Sequence, residues 1–364
     1  MQHTHTHAYA YVKYAHALYP MGIKNLNQFI RHECSDAIKT IALDALAGKV
    51  VVIDANIFMY RFVAEDALLE NMFSMISFFQ MHRIEPVFIF DGKPPEEKRK
   101  TLNKRTRLKR IAEMQYNRLV SHHDTMNDSN GNNDNNGNDN PNDSPKKHAH
   151  ALKALRRRFI RIGNADFERV KTLMRALGVQ YIVASGEADA LCAQMVIKRK
   201  AYACVSDDTD LFVHGCCRVL RHINLFDQTA TMYDMHKILN ILGINMTEFR
   251  QICVISGTDY SCGSIHGHNL RNAVNLFKQY KKCGQDAEES DDVFAPDFYT
   301  WLHHNCAKYN QRVHFDYDST MAVYNMFDTA TMINCVPEIL SPTKRRRNDE
   351  LLHEVMAHEN FIFI

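Results

Sequence analysis

No CxxC pair occurs in this 364-residue chain, although it contains ten cysteines. Their scatter from Cys34 to Cys335 suits free thiols in a reducing compartment better than a disulfide framework. Cys253, Cys262, His266 and His268 can be drawn together as a zinc site, but their spacing matches no standard finger, so buried thiols and loop histidines are expected. No apolar run approaches the length needed to span a bilayer. The opening MQHTHTHAYAYVKYAHALYP lacks the apolar core of a signal peptide and the arginines of a transit peptide, so neither a membrane nor a secretory destination is expected. An excess of one charge is also missing: 44 Lys+Arg against 42 Asp+Glu leaves a net charge of +2. The placement of charge therefore matters more than its sum. With 45% hydrophobic residues the chain can bury the core of a soluble globular protein.

The charge is in fact strongly localised. Residues 126–144, MNDSNGNNDNNGNDNPNDS, contain no apolar residue after the methionine and cannot offset their ordering entropy by burial. A disordered Asn-rich insertion is expected over 121–150. It is flanked by KPPEEKRKTLNKRTRLKR (Lys93 to Arg110) and KKHAHALKALRRRFIR (Lys146 to Arg161). Solvated helix faces are the ordinary use of such runs. A backbone-binding surface is the other. The expected organisation is a His-rich extension (1–20), a first part of the core (21–120), the insertion, the rest of the core (151–283), and a C-terminal region (284–364) carrying KRRR at 344–347.

Three short apolar runs end in acids. KVVVID ends at Asp54, EPVFIFD at Asp91, and AYACVSDD at Asp207 and Asp208. Unbroken apolar runs of this kind read as parallel strands covered on both faces, and the helical patterns between them give an α/β class with a mostly parallel sheet. In such sheets the working site lies beyond the carboxyl ends of the strands. An isolated aspartate there usually caps the next helix. Glu187, Asp189, Asp207, Asp208 and Asp210 surrounding one apolar run exceed what capping needs. Two carboxylates ~4 Å apart repel by about 4 kcal/mol at an effective dielectric near 20. Shared protons cannot relieve so many acids, whereas divalent cations can. Oxygen ligands without His or Cys favour Mg²⁺ or Mn²⁺ over zinc. A phosphoryl-aspartate mechanism would need a second acid two positions after Asp54, where Asn56 stands.

MGIKNL (from Met21), VVVIDANIFMYRF (from Val50), FIFDGKPPEEKRKTLNKR (from Phe88), the stretch VASGEADALCAQMVIKRKAYACVSDDTDLF and SGTDYSCGSIHG (from Ser256) occur in that order. Together they resemble the flap endonuclease and XPG family of structure-specific 5′ nucleases, over roughly Met21 to Tyr280. The resemblance implies a PIN-like α/β core with a helical arch and a C-terminal helix-hairpin-helix region. It implies metal ligands at Asp54, Asp91, Glu187, Asp189, Asp208, Asp210 and Asp259, with Asp189 where many members have Glu. It places a phosphate-contacting basic pair on Lys98 and Arg105. Tyr60 matches an aromatic that stacks on the terminal base, although without the family a core aromatic would be the better reading. Further DNA contacts are expected at Gly22, Arg156, Arg157, Arg158, Gly267 and Arg271.

The expected reaction is two-metal hydrolysis of a phosphodiester by Mg²⁺, with Mn²⁺ as a substitute, on DNA containing single-strand/double-strand junctions at flaps, nicks or gaps. Asn269 stands at the second glycine of the family's hairpin turn, which puts a potassium site there in question. No sliding-clamp motif is visible, and a monomer working in the nucleus, or a host nucleus or cytoplasmic replication site if viral, is expected. The Asn-rich insertion and single Trp fit a large DNA virus or an AT-rich genome. A non-catalytic junction binder would have lost an acid, and a PIN-type ribonuclease usually lacks the DGKPP segment. These are the alternatives.

Overall fold

Strand β2 (Val50–Asp54) is apolar at successive positions because both of its faces are covered. Val51 and Ile53 point into one core and Val52 into the other. The same alternation holds in β3 (Glu85–Phe90), where Phe88 and Phe90 oppose Val87 and Ile89, and in β5 (Ala203–Val205), where Cys204 opposes Ala203 and Val205. The computed structural model describes residues 22–129, 144–260, 270–288, 297–309, 316–328, 336–340 and 346–357.

The sheet has seven strands in the order β1-β7-β6-β5-β2-β3-β4, with β1 Ile38–Ala42, β4 Gln180–Val183, β6 Arg218–Asn224 and β7 Thr229–Asp234. The β6-β5-β2-β3-β4 half is parallel, as expected, while β6–β7 and β7–β1 are antiparallel. That antiparallel edge was not legible in the sequence.

Between β1 and β4 the chain forms α2 (Ala55–Ala64), α3 (Leu68–Met81), a long α4 (Arg99–Ser129), α5 (Ser144–Arg158) and α6 (Asn164–Ala176), after α1 (Leu26–Glu33). Helices α2, α3 and α6 fill one face of the sheet through Phe58, Met72, Phe79 and Leu173. On the other face lie α1, α7 (Ala188–Ile197), α8 (Asp210–Val213), α9 (Met235–Leu242), α10 (Met246–Ser256), α11 (Leu270–Glu288), α12 (Phe298–Tyr309) and α13 (Tyr317–Phe327). The single tryptophan, Trp301, is buried in this second core.

Helices α4 and α5, expected as the two limbs of an arch, pack against each other. Tyr116 meets Phe159 edge-on at 5.4 Å, Arg161 pairs with Glu113 at 2.6 Å, and Lys109 Nζ donates to the Ile160 carbonyl at 2.8 Å. Helix α4 continues to Ser129 and α5 begins at Ser144, so both enter the segment read as an insertion, of which 130–143 lie outside the described residues. The His-rich extension, Cys262, His266, His268 and Gly267 also lie outside them.

The C-terminal region returns to the core. Gln180 on the edge strand β4 donates to the Glu338 carbonyl (3.0 Å) and accepts from the Leu340 amide (2.9 Å). The Asn348 amide bonds the Ala176 carbonyl at 2.7 Å, and α14 (Asp349–Ala357) buries Leu352 and Met356 against the face held by α6. These contacts fasten the segment to the side chain of Gln180 on the edge strand and to the end of α6. Among the described residues, no single helix is long and apolar enough to cross a membrane.

Candidate metal centre and nucleic-acid interface

Parallel pairing places the carboxyl ends of β2, β3 and β5 side by side, because Asp54 is in register with Ile89 and Ile53 with Val205. Each strand then delivers its terminal acid to one edge. Asp54 is the last residue of β2 and leads into α2. Asp91 follows β3 and is fixed from two sides: Asn56 Nδ2 donates to its Oδ2 at 2.7 Å, and the Ala188 amide donates to its Oδ1 at 2.8 Å. Asn56, the residue that argued against an aspartyl nucleophile, thus serves as a clamp. Sequence reasoning gave it no role.

The third contribution comes from α7. Glu187 precedes its first turn and Asp189 lies within it, so both carboxylates face the strand ends from the same helix start. Ser206, directly after β5, ties the loop together: its hydroxyl donates to Asp54 Oδ2 (3.1 Å) and accepts from the Asp208 amide (3.1 Å). The Asp210 amide donates to Asp208 Oδ1 at 2.9 Å, which turns both side chains inward. Oxygens of Asp189, Asp208 and Asp210 lie within 4.8 Å of one another. Among the described residues, the buried Asp189 Oδ1 and Asp210 Oδ1 have no hydrogen-bond partner. Unpartnered buried carboxylate oxygens are costly unless a cation or proton completes them.

The electrostatics agree with that geometry. Burial, and then the negative charge of Asp91 and Asp208, pushes the Asp54 carboxyl well above its ordinary range. Burial and the surrounding aspartates do the same to Asp189 and Asp210. The donor set contains only oxygen, and its excess negative charge suits hard divalent cations.

Asp207 departs from expectation. It was read as part of the converging cluster, but its side chain turns to the opposite side of the loop, where it pairs with Arg61 and accepts the His222 amide at 3.1 Å. Burial alone would raise its pKa. The charges of Arg61, Arg221 and His222 outweigh that and hold it below the carboxylate range. Arg61 and Arg221 carried no sequence signal beyond their charge.

Lys98 and Arg105 stand at the root of α4, seven residues apart in sequence and therefore on one stripe of the helix path. Lys98 Nζ pairs with Glu187 Oε1 and Arg105 Nη2 with Asp259 Oδ2. Thr101 Oγ1 donates to the Asp259 carbonyl, and Tyr260 Oη donates to Glu187 Oε2 at 2.5 Å. Asp259 thus reaches the basin from beyond α10. Burial works against the charge on Lys98, but Glu187, Asp210 and Asp189 outweigh it and raise its pKa.

The remaining expected residues are dispersed. Tyr60, on α2, is 43% exposed with Lys109 Nζ 5.1 Å from its ring centre. It lines a pocket of about 360 Å³ with Thr106, Lys109, Arg110, Arg161 and Ile162. This is an accessible aromatic beside cations, not a core aromatic. Gly22 is buried against the basin: with φ of 73°, a Cβ there would collide with Asp208 Oδ1, Thr209 Oγ1 and Asp210 Oδ1. Arg156 pairs with Asp66 at 2.9 Å, Arg157 acts on Glu65, and Arg158 is exposed at the end of α5. Arg271 is exposed in the first turn of α11.

Comparison with known proteins agrees with this arrangement. The XPG N-terminal domain model matches residues 21–112 and the XPG I-region model residues 178–259. Flap endonuclease 1 of Caenorhabditis briggsae is 28% identical over 300 residues, covering 77% of this chain and 72% of that protein. Its counterpart in Cryptosporidium muris is 26% identical over 299 residues, covering 74% of this chain and 58% of that protein. The chain thus spans little more than half the length of some curated relatives. Among solved structures, the catalytic core of Rad2 in complex with DNA substrate superposes with a TM-score of 0.61 at 17% identity, covering 93% of this chain and 95% of that one. Human GEN1 in complex with Holliday junction DNA superposes with a TM-score of 0.56 at 16% identity, covering 93% and 73%. At these identities the superpositions speak for the fold.

Proposed function

We propose that the chain is a member of the flap endonuclease and XPG family and a structure-specific 5′ nuclease, hydrolysing DNA phosphodiesters at junctions between single and double strands during replication or repair. The observation that carries the proposal is the convergence of strand-end acids on one edge beneath an arch root bearing Lys98 and Arg105.

Asp54, Asp91, Glu187, Asp189, Asp208, Asp210 and Asp259 would hold two Mg²⁺ ions, which Mn²⁺ can replace. The orphan oxygens of Asp189 and Asp210 are what a metal site requires. Bound divalent ions supply Lewis acidity toward water and the leaving oxygen. The protein's own groups supply position and charge. Ser206 and Asn56 fix the orientation of Asp54 and Asp91. Lys98 stays charged across the physiological range and, with Arg105, would neutralise charge growing on the scissile phosphate. Tyr60 offers a face for an unstacked terminal base, with Lys109, Arg110 and Arg161 beside it for phosphate.

Recognition of this kind reads backbone charge and helix shape rather than base edges. Unpairing terminal bases costs about a few kcal/mol, least where a junction is already frayed, which favours flaps, nicks and gaps. Arg271, exposed at the start of α11, would touch duplex backbone. We assign the protein to the nucleus, acting as a monomer.

Cleavage of a labelled panel of 5′ flap, nick, gap, bubble and single-stranded DNA tests the proposal. Mg²⁺-dependent cuts at the junction substrates, abolished by Asp208→Asn with junction affinity retained, are expected. Tight junction binding without cleavage would indicate a binding protein, and preferential cleavage of RNA a ribonuclease.

A further inference from the structure

Glu187 has no unoccupied oxygen. Lys98 Nζ holds Oε1 and Tyr260 Oη holds Oε2. Arg105 likewise holds Asp259 Oδ2, while Thr101 of the same helix binds the Asp259 backbone. The root of α4 is thus fastened to the basin by the carboxylates on its near side. The deeper acids differ. Among the described residues, Asp54, Asp189, Asp208 and Asp210 form no ion pair, and two of their oxygens are orphaned. Lys98 also lies close enough to Asp210 and Asp189 for their charge to act on it. The two basic side chains therefore occupy the positions where counter-charge is most needed when no cation is bound.

We propose that Lys98 and Arg105 are resident counterions of the basin and exchange with divalent ions for Glu187 and Asp259. A dication and an ammonium group cannot both sit against one carboxylate without strong mutual repulsion at this burial. Ion entry therefore releases the root of α4, and the freed cations become available to a phosphodiester. Linkage makes the effect reciprocal: a phosphate that draws Lys98 and Arg105 away opens Glu187 and Asp259, so DNA and ions favour each other's binding. Loading and substrate capture become one coupled equilibrium. This inference rests on the metal assignment under Proposed function and adds a switching role to residues assigned there only to phosphate.

Amide hydrogen exchange on the full chain without DNA, with and without saturating Ca²⁺, tests it. Ligands normally slow exchange where they bind and leave distant segments unchanged. Here residues 187–210 should slow while residues 96–108 accelerate several-fold. Slowing of 187–210 with 96–108 unchanged or slowed would overturn the exchange and leave the metal assignment standing. No slowing at 187–210 would overturn both.

Ca²⁺ affinity from calorimetry gives a second readout. Lys98→Gln should tighten it by about tenfold, within the usual range of coupling between linked sites, whereas Lys100→Gln on the exposed side of the same helix should change it by less than about twofold. In Lys98→Gln the 96–108 segment should already exchange fast and respond little to Ca²⁺. Equal tightening by both substitutions would reduce the effect to general charge and overturn the proposal.

Discussion

Arg61 and Asp207 form an ion pair behind the Ser206–Asp210 loop, on the side away from the acidic basin. Arg221, 1% exposed, adds a bond from Nη2 to the Asp207 carbonyl at 2.6 Å and lies over Phe212 and Tyr233. Asp207 is therefore the anchor that lets its neighbour Asp208 face inward. Removing one partner of a buried pair typically costs about 3–5 kcal/mol, because the other charge is left uncompensated. Asp207→Asn should lower the denaturant midpoint by a loss of that order. Since the Asp207 pKa is depressed, its stabilisation is complete above the ordinary aspartate range and disappears only in strong acid, so the loss should be the same from pH 5 to 9. A midpoint matching wild type would contradict the anchor.

The basin acids titrate in the opposite sense. Asp54, Asp189 and Asp210 have raised pKa values, so the folded metal-free protein holds protons that the unfolded chain releases. Their contribution to stability is most favourable in acid and is lost as pH rises above the ordinary carboxylate range. In EDTA, Asp210→Asn should melt above wild type, with the gap widening from pH 5 to pH 8. Mg²⁺ should close the gap by stabilising wild type more than the variant. A gap independent of pH would rule out a strained carboxylate at position 210.

His214 supplies an acid-labile element. Burial, reinforced by the charge of Arg250, pushes its pKa down to about 3. The ring is 4.9 Å from Phe327 and is held neutral. A depressed histidine contributes stability that is complete above its ordinary value of 6.5 and is lost as pH falls toward the folded pKa, at about 1.4 kcal/mol per pH unit. Urea titrations at pH 7 and pH 5 should show that His214→Leu removes most of this loss. An unchanged pH dependence would mean that the acid sensitivity arises elsewhere.

Gly22 tests the packing around the basin. Its φ of 73° alone costs an ordinary residue about 1–2 kcal/mol, and a methyl group would also strike Asp208, Thr209 and Asp210. Gly22→Ala should lower the melting temperature and weaken Ca²⁺ binding together. Loss of DNA affinity with Ca²⁺ binding intact would instead make Gly22 a nucleic-acid contact.

Much of this site was legible because strand ends are legible. Continuous apolar runs ending in Asp54, Asp91 and Asp208 predict parallel strands, and parallel strands share an edge. The side on which an acid falls was not legible. Asp207 and Asp208 are adjacent and identical, and only the turn fixed by Ser206 separates anchor from basin residue. Tyr260 and Asn56 were missed because their roles depend on partners 73 and 35 residues away. The β6–β7 hairpin and β1 escaped because RVLRHIN and TATMYD mix charge with apolar residues, and β1 alternates only weakly.

The clasp of α14 on α6 has a consequence for synthesis. Strand β1 pairs with residues 229–233, and Leu352 and Met356 complete the core beneath α6. At about 5–20 residues per second, a ribosome takes roughly tens of seconds to deliver residues 349–357 after the first strand has emerged. Until then one core lacks part of its lid. Closure of the core by α14 is therefore a late step, and a nascent chain long enough to contain every basin acid still lacks the segment that closes its scaffold. Premature termination near residue 340 should yield a protein retained by chaperones rather than an unregulated nuclease.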